Sequence, residues 1–202
     1  MDKSPVQNET QISAAHLPEK IPAARRLLKE NRGQALAALN DVFRLGWPPQ
    51  PALDGRYRGE LVALDIAPGL TQLSEIITAA WLPWQGKRFD AAQSCGDNIF
   101  TRDSLLLARL YWPLYRGYVD DGPKTYRAFA FQTYVAPGLT DPDRQVLKID
   151  YDIPANPGLS IRQILDELVQ VADDFYLGKA HLKWWWGRWQ LFAYFSLQRA
   201  RP

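Results

Sequence analysis

The sequence predicts an α+β, β-rich fold in which a twisted antiparallel sheet closes around an apolar interior. Three observations point to it. Several segments alternate apolar and polar residues with the period of two that strands require. Hairpin turns and short helices separate these segments, without the regular strand–helix–strand alternation of a doubly wound fold. The 202 residues include 8 Trp, 9 Tyr and 8 Phe, and rings of this size favour a filled core or a cavity.

The first predicted element is a helix. Residues 1–18 are polar and show no hydrophobic periodicity, so we expect them to form a flexible tail. From residue 21 to residue 45 apolar residues recur at helical spacing, and Gly46 and Pro48 follow as stop signals. We therefore expect a single barrel domain over residues 19–202 that begins with this helix.

The next segments alternate between strands and short helices. A first strand is expected to begin at Gly55, where GRYRGELVAL has a period of two. A helix is expected at about 70–80, followed by a strand region from 87 to 100 and another helix from 102 to 116. The apolar residues of the last helix favour packing over an open end of the sheet as a lid, and a helix at a membrane interface is the alternative.

The segment YRAFAFQTYV, residues 126–135, is the clearest strand in the sequence. Regular alternation places Ala128 on one face and Phe129 and Phe131 on the other. The next strand covers residues 146–152. Its apolar face is expected to point inward and its charged face toward solvent; the inward residues are Leu147, Ile149 and Tyr151, and the outward residues are Lys148, Asp150 and Asp152.

A helix and a hairpin complete the prediction. Ser160 can cap a helix, and apolar residues from 161 to 169 follow it at helical spacing. Two strands at about 176–185 and 189–198 are joined through Gly187 as a hairpin.

Three segments resemble the bacterial GXWXG protein family and the domain of unknown function that usually follows it. GRYRGEL at 55–61 is similar to the Gly-x-Trp-x-Gly signature, with Tyr57 in place of Trp. WQGKRF at 84–89 resembles the second block of that family, and YDIP at 151–154 resembles the following domain. Further matches to that domain are Asp173, Asp174 and Gly178. The resemblance implies a lipocalin-like, calycin-type barrel whose first strand carries a ring that seals one end; it implies no reaction.

Composition argues against several functions. The net charge of +2 arises from 24 basic and 22 acidic residues spread along the chain, so no field of one sign would attract nucleic acid. The lone Cys95 has no partner for an internal disulfide, and the N-terminus lacks the apolar stretch of a signal peptide, so a cytoplasmic location is expected. We expect no metal and no other cofactor, because one Cys and two His are few ligands and no nucleotide-binding motif occurs.

Aromatic residues beside a basic pair form the candidate binding site. Lys87 and Arg88 are the best candidates for binding an anionic group, and Trp84 and Phe89 would provide apolar surface beside them. A cavity with a cationic end and aromatic walls suits a fatty acid or another amphiphilic acid. The alternative is two exposed basic side chains at a strand edge. The other aromatic residues expected to contact a ligand are Tyr57, Tyr126, Tyr151 and Trp184.

Few residues are suited to catalysis. His181 shares a predicted strand face with Lys179 and Lys183, which favours a surface or rim position over the role of general acid or base. Asp152 and Tyr151 are the other candidates for acid–base chemistry.

Three functions stay open on this basis. The richness in rings favours the binding of a small hydrophobic or amphiphilic ligand in the barrel. An isomerase, cyclase or hydrolase could use the same cavity for a hydrophobic small molecule. In the third alternative, the tryptophans of the hairpin, Trp184–Trp186 and Trp189, dock on a membrane surface or on a second copy of the chain, because exposed aromatic patches commonly mark interaction sites.

Overall fold

The computed structural model describes residues 17–65 and 83–200. Nine strands belong to one sheet. They are β1 (Gly55–Leu64), β2 (Trp84–Asp90), β3 (Cys95–Thr101), β4 (Val119–Asp120), β5 (Thr125–Pro137), β6 (Gln145–Asp150), β7 (Ile164–Ala172), β8 (Phe175–Lys183) and β9 (Trp189–Arg199). The helix predicted at 70–80 lies outside the described residues.

The sheet closes into a barrel of eight antiparallel strands. Its order is β3-β2-β1-β9-β8-β7-β6-β5-β4, and an additional pairing of β3 with β5 completes the ring and leaves the short β4 outside it. Within the ring, strands that follow each other along the chain pair with each other, and β3 pairs with β5 because β4 lies outside the ring. Strand β9 closes the ring by pairing with β1. An eight-stranded barrel is just wide enough to be filled by side chains or to hold one small ligand. The predicted α+β fold with a lipocalin-like barrel is confirmed.

Three α-helices accompany the barrel in the described part of the chain: α1 (Leu17–Leu27), α2 (Arg32–Leu45) and α3 (Leu105–Tyr111). Helices α1 and α2 pack on each other and on the outer face of β7. Asn31 caps α2, because its side-chain oxygen accepts a hydrogen bond from the Gln34 amide. The single helix expected over 21–45 is therefore two helices, and the first begins at Leu17, inside the segment expected to be a tail.

Strands β7 to β9 are buried on both faces. Their inner face lines the barrel, and residues of their outer face, such as Val169 and Leu177, share an apolar cluster with Leu39 and Phe43 of α2. The helix predicted at 161–169 is therefore wrong: a short 3₁₀ turn, Ile161–Gln163, precedes β7. A strand buried on both faces has an almost continuous apolar run, which also satisfies helical spacing.

Strand β5 contains an irregularity that changes its inward face. Phe129 has a φ of 57°, and the pairing of β3 with β5 shifts register between the pairs Gly96–Phe131 and Asn98–Ala128. Ala128, Phe129 and Phe131 consequently all belong to the cluster inside the barrel. The regular alternation expected for this strand is wrong at that point, because a bulge inserts one residue and reverses the facing of those that follow.

Strand β6 faces inward as expected, but its outer face is not solvated throughout. Ile149 and Tyr151 are buried inside the barrel. Lys148, expected in solvent, is buried and forms an ion pair with Glu167 of β7. The exposed fraction of a residue on this face is set by the elements packed outside the barrel, which the alternation of one strand does not show.

The helix predicted at 102–116 is shorter than expected. A 3₁₀ turn at Arg102–Ser104 leads into α3, which ends at Tyr111, ahead of Pro113. No helix in the described ranges is long and apolar enough to cross a membrane.

Candidate functional site

A cluster of four buried polar side chains crosses the interior of the barrel. Lys87 Nζ of β2 donates hydrogen bonds to Asp166 Oδ2 of β7 and to Asn98 Oδ1 of β3, both at 2.9 Å, and also to the hydroxyl of Tyr151. That hydroxyl lies 3.1 Å from Asn98 Oδ1 and 3.2 Å from Asp166 Oδ2, either of which can accept its proton. We call these four residues the polar cluster. It joins three separate strands and the residue that follows β6 through one ammonium group.

Strand alternation and small residues explain the position of the cluster. Lys87 faces inward because it lies two residues before the buried Phe89. Asp166 pairs across the sheet with Ala180, which pairs in turn with Ala193, and both alanines are fully buried. These short side chains share the inner face of the sheet with Asp166 and leave room for its side chain, although neither alanine lines the pocket described next.

A pocket of about 60 Å³ lies beside the polar cluster. All four residues of the cluster contribute to its polar wall. The apolar wall consists of Phe100, Phe129, Ile161 and Phe195. Trp84 and Ile164 complete the lining and are half-buried, so they mark the mouth of the pocket.

Trp84 is fixed at the mouth by two contacts. Its indole Nε1 donates a hydrogen bond of 3.1 Å to Asn98 Oδ1, and its ring meets Phe195 edge-on with centroids 5.7 Å apart. A Cβ atom on Gly59 would overlap the indole ring. Gly59 therefore makes the space that Trp84 occupies, which explains the second glycine of GRYRG.

Burial shifts both members of the buried ion pair toward their neutral forms. It lowers the pKa of Lys87, although Asp166 acts in the opposite direction. It raises the pKa of Asp166, although Lys87 opposes it. Burial and the nearby Asp166 also hold the pKa of Tyr151 well above its ordinary value. The pair carries no net charge whether the proton lies on the amine or on the carboxyl group.

One oxygen of the cluster is left without a partner. Asp166 Oδ2 accepts from Lys87, but Oδ1 is buried and makes no hydrogen bond to any residue that the structure describes. An unpaired buried oxygen costs about 1–3 kcal/mol. It lies on a residue of the pocket wall, so a ligand placed there could contact it.

The structure brings Trp84, Lys87 and Tyr151 together, as the sequence predicts for ligand-contacting residues. Tyr57 and Phe89 are buried in the same barrel, with ring centroids 5.4 Å apart, but they do not line the pocket. Tyr57 also contacts Tyr176 edge-on at 5.6 Å. These rings fill the barrel on the side of the polar cluster away from the pocket.

The other predicted contact residues lie elsewhere. Arg88 is exposed on the outer face of β2, because consecutive residues of a strand point to opposite faces. Tyr126 is buried and stacks on Phe100 with ring centroids 5.4 Å apart. Phe100 lines the pocket, and Tyr126 does not. Trp184 stacks on Trp186 at 4.9 Å in the turn between β8 and β9. Lys87 and Arg88 therefore do not form one cationic site.

The three candidate acid–base residues are not brought together. Asp152 is exposed and forms an ion pair with Arg162, with Oδ1 2.6 Å from Nη2. His181 lies on the outer face of β8, opposite to the face that carries the pocket, and its exposed fraction is 0%. The surface or rim position expected for His181 is wrong, because packing covers this face as well. Of the three, Tyr151 alone belongs to the polar cluster.

Sequence reasoning missed Asn98 and Asp166. Asp166 lies in a segment interpreted as an amphipathic helix, where a carboxylate has an ordinary solvent-exposed place. The available signal was the adjacent pair Asp166–Glu167 inside the apolar run ILDELVQV, since carboxylates are rarely buried unless they are paired. Asn98 lies two residues before Phe100 and so shares its face, which was the available signal for that residue.

A second group of buried charges lies outside the barrel and ties the helices to it. Lys179 Nζ of β8 donates to Asp141 Oδ2 at 2.6 Å and to Asn40 Oδ1 of α2 at 2.7 Å. Arg44 of α2 forms an ion pair with the same Asp141 at 2.5 Å. Within the described residues, no group of three or more His, Cys, Asp or Glu side chains is placed to share a metal ion.

Exposed apolar side chains collect at the barrel end where the pocket opens. They lie in the connections from β3 to β4, from β6 to β7 and from β8 to β9. We call them the mouth rim, which consists of Leu106, Leu107, Leu110, Tyr111, Leu114, Leu159, Trp185 and Trp186. In α3, Leu105 and Ala108 face the barrel, whereas Leu106 and Leu110 are 80% and 75% exposed. Helix α3, the expected lid, therefore packs on the barrel end through one side and exposes leucines to solvent on the other.

Comparisons with known proteins do not show which family the chain belongs to. No protein-family model matches the chain, and no curated protein matches it. A crystal structure described as that of a protein from Thermomonospora curvata is similar over 89% of this chain and 99% of its own, with 16% identity and a TM-score of 0.48. A similarity at this level supports no conclusion about function, so the function of this chain has to be argued from its own pocket.

Proposed function

We propose that the barrel binds a small, largely apolar molecule with one neutral polar group, and that this group lies against Lys87 and Asp166. The observation that carries the proposal is Asp166 Oδ1, a buried oxygen that has no partner among the described residues and belongs to a residue that lines the pocket. A ligand that supplies a hydrogen-bond donor there would remove the cost of leaving this oxygen unpaired.

The size of the pocket limits what enters it. Engineered cavities of about 150 Å³ hold benzene, whereas this pocket measures about 60 Å³. The polar group and a few carbon atoms of a ligand fit inside. A longer apolar part would pass the mouth between Trp84 and Ile164.

The buried ion pair favours a neutral polar group over an anion. The sequence suggests a fatty-acid-like ligand held by Lys87 and Arg88, but Arg88 lies outside the barrel. Lys87 is already paired with Asp166, whose carboxylate would repel an anionic head group at close range. An alcohol or an amide meets neither obstacle and supplies a donor to Asp166 Oδ1; an aldehyde or a ketone also meets neither obstacle and accepts a hydrogen bond from Oδ1 when the carboxyl group, whose pKa is raised by burial, holds the proton.

Titration with 1-butanol, followed by NMR of the Trp84 indole N–H, tests the proposal. That N–H lies at the pocket mouth on Asn98 and is assigned by its absence in Trp84→Phe. We expect a saturable shift of its resonance, lost in Ile164→Trp, which blocks the mouth. The same substituent at the exposed Val135, on the far end of β5, is the matched control and should keep the shift.

The polar contact is tested separately with Asp166→Asn. This variant removes the charge-assisted hydrogen bonds of the carboxylate, and we expect roughly tenfold weaker binding of 1-butanol. Equal shifts in Ile164→Trp and Val135→Trp would show that the alcohol acts outside the pocket and would contradict the proposal.

The mouth rim favours a second candidate function, which is attachment to an anionic lipid surface. Leu114 and Trp185 are 88% and 89% exposed at the same barrel end. In the part of the chain that the structure describes, exposed basic residues at that end include Arg109, Arg116, Lys124, Lys183 and Arg188. Exposed leucine and tryptophan beside basic side chains suit the headgroup region of a bilayer, where apolar insertion and attraction to anionic lipids act together.

Sedimentation with vesicles tests this second candidate. We expect binding to vesicles that contain phosphatidylserine and much less binding to phosphatidylcholine alone. The double variant Leu106→Ser, Leu110→Ser should lose it, and Val135→Ser, Leu139→Ser at the far end of the barrel should not. If both double variants sediment like the parent protein, the rim is not the attachment surface.

A further inference from the structure

The ammonium group of Lys87 occupies an unusual place. Lys87 is 2% exposed, and its Nζ lies 5.1–5.5 Å from the ring centroids of Trp84, Phe131, Tyr151 and Phe195. It lines the pocket beside a tyrosine hydroxyl and a carboxyl group. An amine, two proton-transfer groups and an apolar space for a substrate therefore meet at one point.

We infer that the pocket takes an aldehyde or a ketone and that Lys87 Nζ condenses with its carbonyl carbon to form an imine. This inference rests on the proposed function and deepens it, because it names the polar group of the ligand and gives Lys87 a covalent role.

The step balances within the cluster. The lone pair of neutral Lys87 Nζ forms a bond to the carbonyl carbon, and one proton of the nitrogen passes through the cluster to the carbonyl oxygen to give a carbinolamine. The second proton of the nitrogen passes to the hydroxyl oxygen in the same way; the C–O bond breaks, water leaves, and the nitrogen forms the C=N bond. One carbonyl compound and one amine give one imine and one water, with no change of oxidation state and no further reactant.

Asp166 and Tyr151 supply the proton transfers. Both lie within hydrogen-bond distance of Nζ, and the unpaired Asp166 Oδ1 can hold or release the proton that the oxygen of the carbinolamine requires. The lowered pKa of Lys87 and the raised pKa of Asp166, both caused by burial, place the proton on the carboxyl group more readily than in water. A desolvated lysine in an apolar site is the form in which this side chain acts as a nucleophile.

Two other buried lysines lack this arrangement. Lys148 and Lys179 lie on the outer face of the barrel, and each forms an ion pair with a carboxylate beneath the packed helices and loops. Neither lines the pocket. Lys183 and Lys124 are exposed, so the rate at which they are modified gives the reactivity of an ordinary surface amine.

Reductive trapping with butanal tests the inference. The full chain is incubated with butanal and cyanoborohydride, and the reduced adduct is located by peptide mapping. We expect one butyl group on Lys87, formed several-fold faster than on Lys124 or Lys183. Modification of Lys87 that is no faster than that of the surface lysines overturns the inference.

The Tyr151→Phe variant separates proton transfer from binding. It keeps the ring and removes the hydroxyl, so we expect slower trapping of butanal with a changed pH profile; the affinity of the variant for 1-butanol is measured from the Trp84 resonance, so that trapping rates are compared at equal occupancy of the pocket. An unchanged rate and pH profile would remove Tyr151 from the step.

The saturated alcohol distinguishes the two failures. If 1-butanol shifts the Trp84 resonance but butanal leaves Lys87 unmodified, the imine is wrong and the proposed binding stands. If neither molecule has an effect, the proposed function fails and the inference fails with it. The experiment on the parent protein decides this, so a variant of Lys87 that fails to fold does not affect the outcome.

Discussion

At the scale of single residues, His181 shows a clear effect of burial outside the pocket. Burial lowers its pKa to about 4; Lys179 and Lys148 act in the same direction, and Glu167 opposes them. Neither ring nitrogen has a hydrogen-bond partner among the described residues. The folded protein therefore keeps this imidazole neutral at pH values where the unfolded chain protonates it.

The stability of the protein should fall at acidic pH because of His181. The pKa is lower in the folded state than the usual value of 6.5, so the contribution is complete above pH 6.5 and is lost as the pH falls toward 4. Between pH 7.5 and pH 5 we expect a loss of about 2 kcal/mol in the free energy of unfolding from this residue. Urea denaturation of the parent protein and His181→Gln at both pH values measures it. A pH dependence that is the same in both proteins would contradict the prediction.

Gly59 offers a second test at this scale. In Gly59→Ala the new methyl group would overlap the ring of Trp84 and displace it from the pocket mouth. We expect a loss of about 1–3 kcal/mol in stability and a large change in the Trp84 indole resonance.

Gly158→Ala is the matched control for that test, because a Cβ at Gly158 meets no atom within 4 Å. It should leave both the stability and the Trp84 resonance as they are. Gly59→Ala with an unchanged indole resonance would show that Trp84 does not depend on this glycine.

At the scale of elements, helix α2 is joined to the barrel through Asp141. Burial acts to raise the pKa of this carboxylate, but the hydrogen bonds that it accepts from Lys179 and Arg44, together with the charge of Lys179, lower it below its ordinary value. Asp141 thus connects β8, α2 and the loop between β5 and β6. Its neighbour Asp143 also pairs with Arg44 but is exposed.

Removing the charge of Asp141 should loosen this junction. Asp141→Asn leaves Lys179 buried without a countercharge, and we expect a loss of about 3–5 kcal/mol in the free energy of unfolding. Asp143→Asn removes a charge from the same loop at an exposed position, so it should have a much smaller effect. Chemical denaturation of both variants compares them, and equal losses would show that the buried pair is not what holds the helix.

The sequence predicts the elements that are half-exposed better than those buried on both faces. The strand at Gly55 follows from simple alternation, whereas the final hairpin, whose strands are buried on both faces, is indicated by Gly187 between two apolar runs. Strand β7 does not follow from alternation, because its outer face is covered by α1 and α2 and its apolar run fits a helix equally well. Asp166 was not predicted as a pocket residue because of that one error, since a carboxylate on a predicted amphipathic helix is expected in solvent and not inside a barrel.

The pocket was predictable in part. Trp84, Lys87 and Tyr151 are found by looking for rings beside a basic side chain on inward strand faces. The facing of Phe129 depends on a bulge in β5, which no pattern in YRAFAFQTYV indicates. The partnership of Lys87 with Asp166 depends on which strands meet across the barrel, and this is a property of the closed ring.

At the scale of the whole molecule, protection from solvent is uneven around the barrel. Strands β7 to β9 are covered on both faces, whereas α3 exposes Leu106, Leu107 and Leu110. Amides in regions with more buried contacts open less often.

Hydrogen–deuterium exchange should reproduce this difference. We expect the slowest exchange in peptides from β8 and β9 and exchange faster by orders of magnitude in α3. Saturating 1-butanol should slow exchange near the pocket mouth more than in the β5–β6 loop at the other end. Equal protection of α3 and β8 would contradict the arrangement of exposed and covered surfaces.

The pairing of Lys87 with Asp166 has a consequence for ionic strength. Each charge is neutralised inside the barrel by the other, so the site has no excess charge for dissolved ions to screen. A neutral molecule that inserts beside the pair releases no counterion and experiences no long-range attraction. The affinity of the site for this molecule should therefore be the same in dilute buffer and in concentrated salt. The selectivity of the site among neutral ligands should likewise not depend on ionic strength.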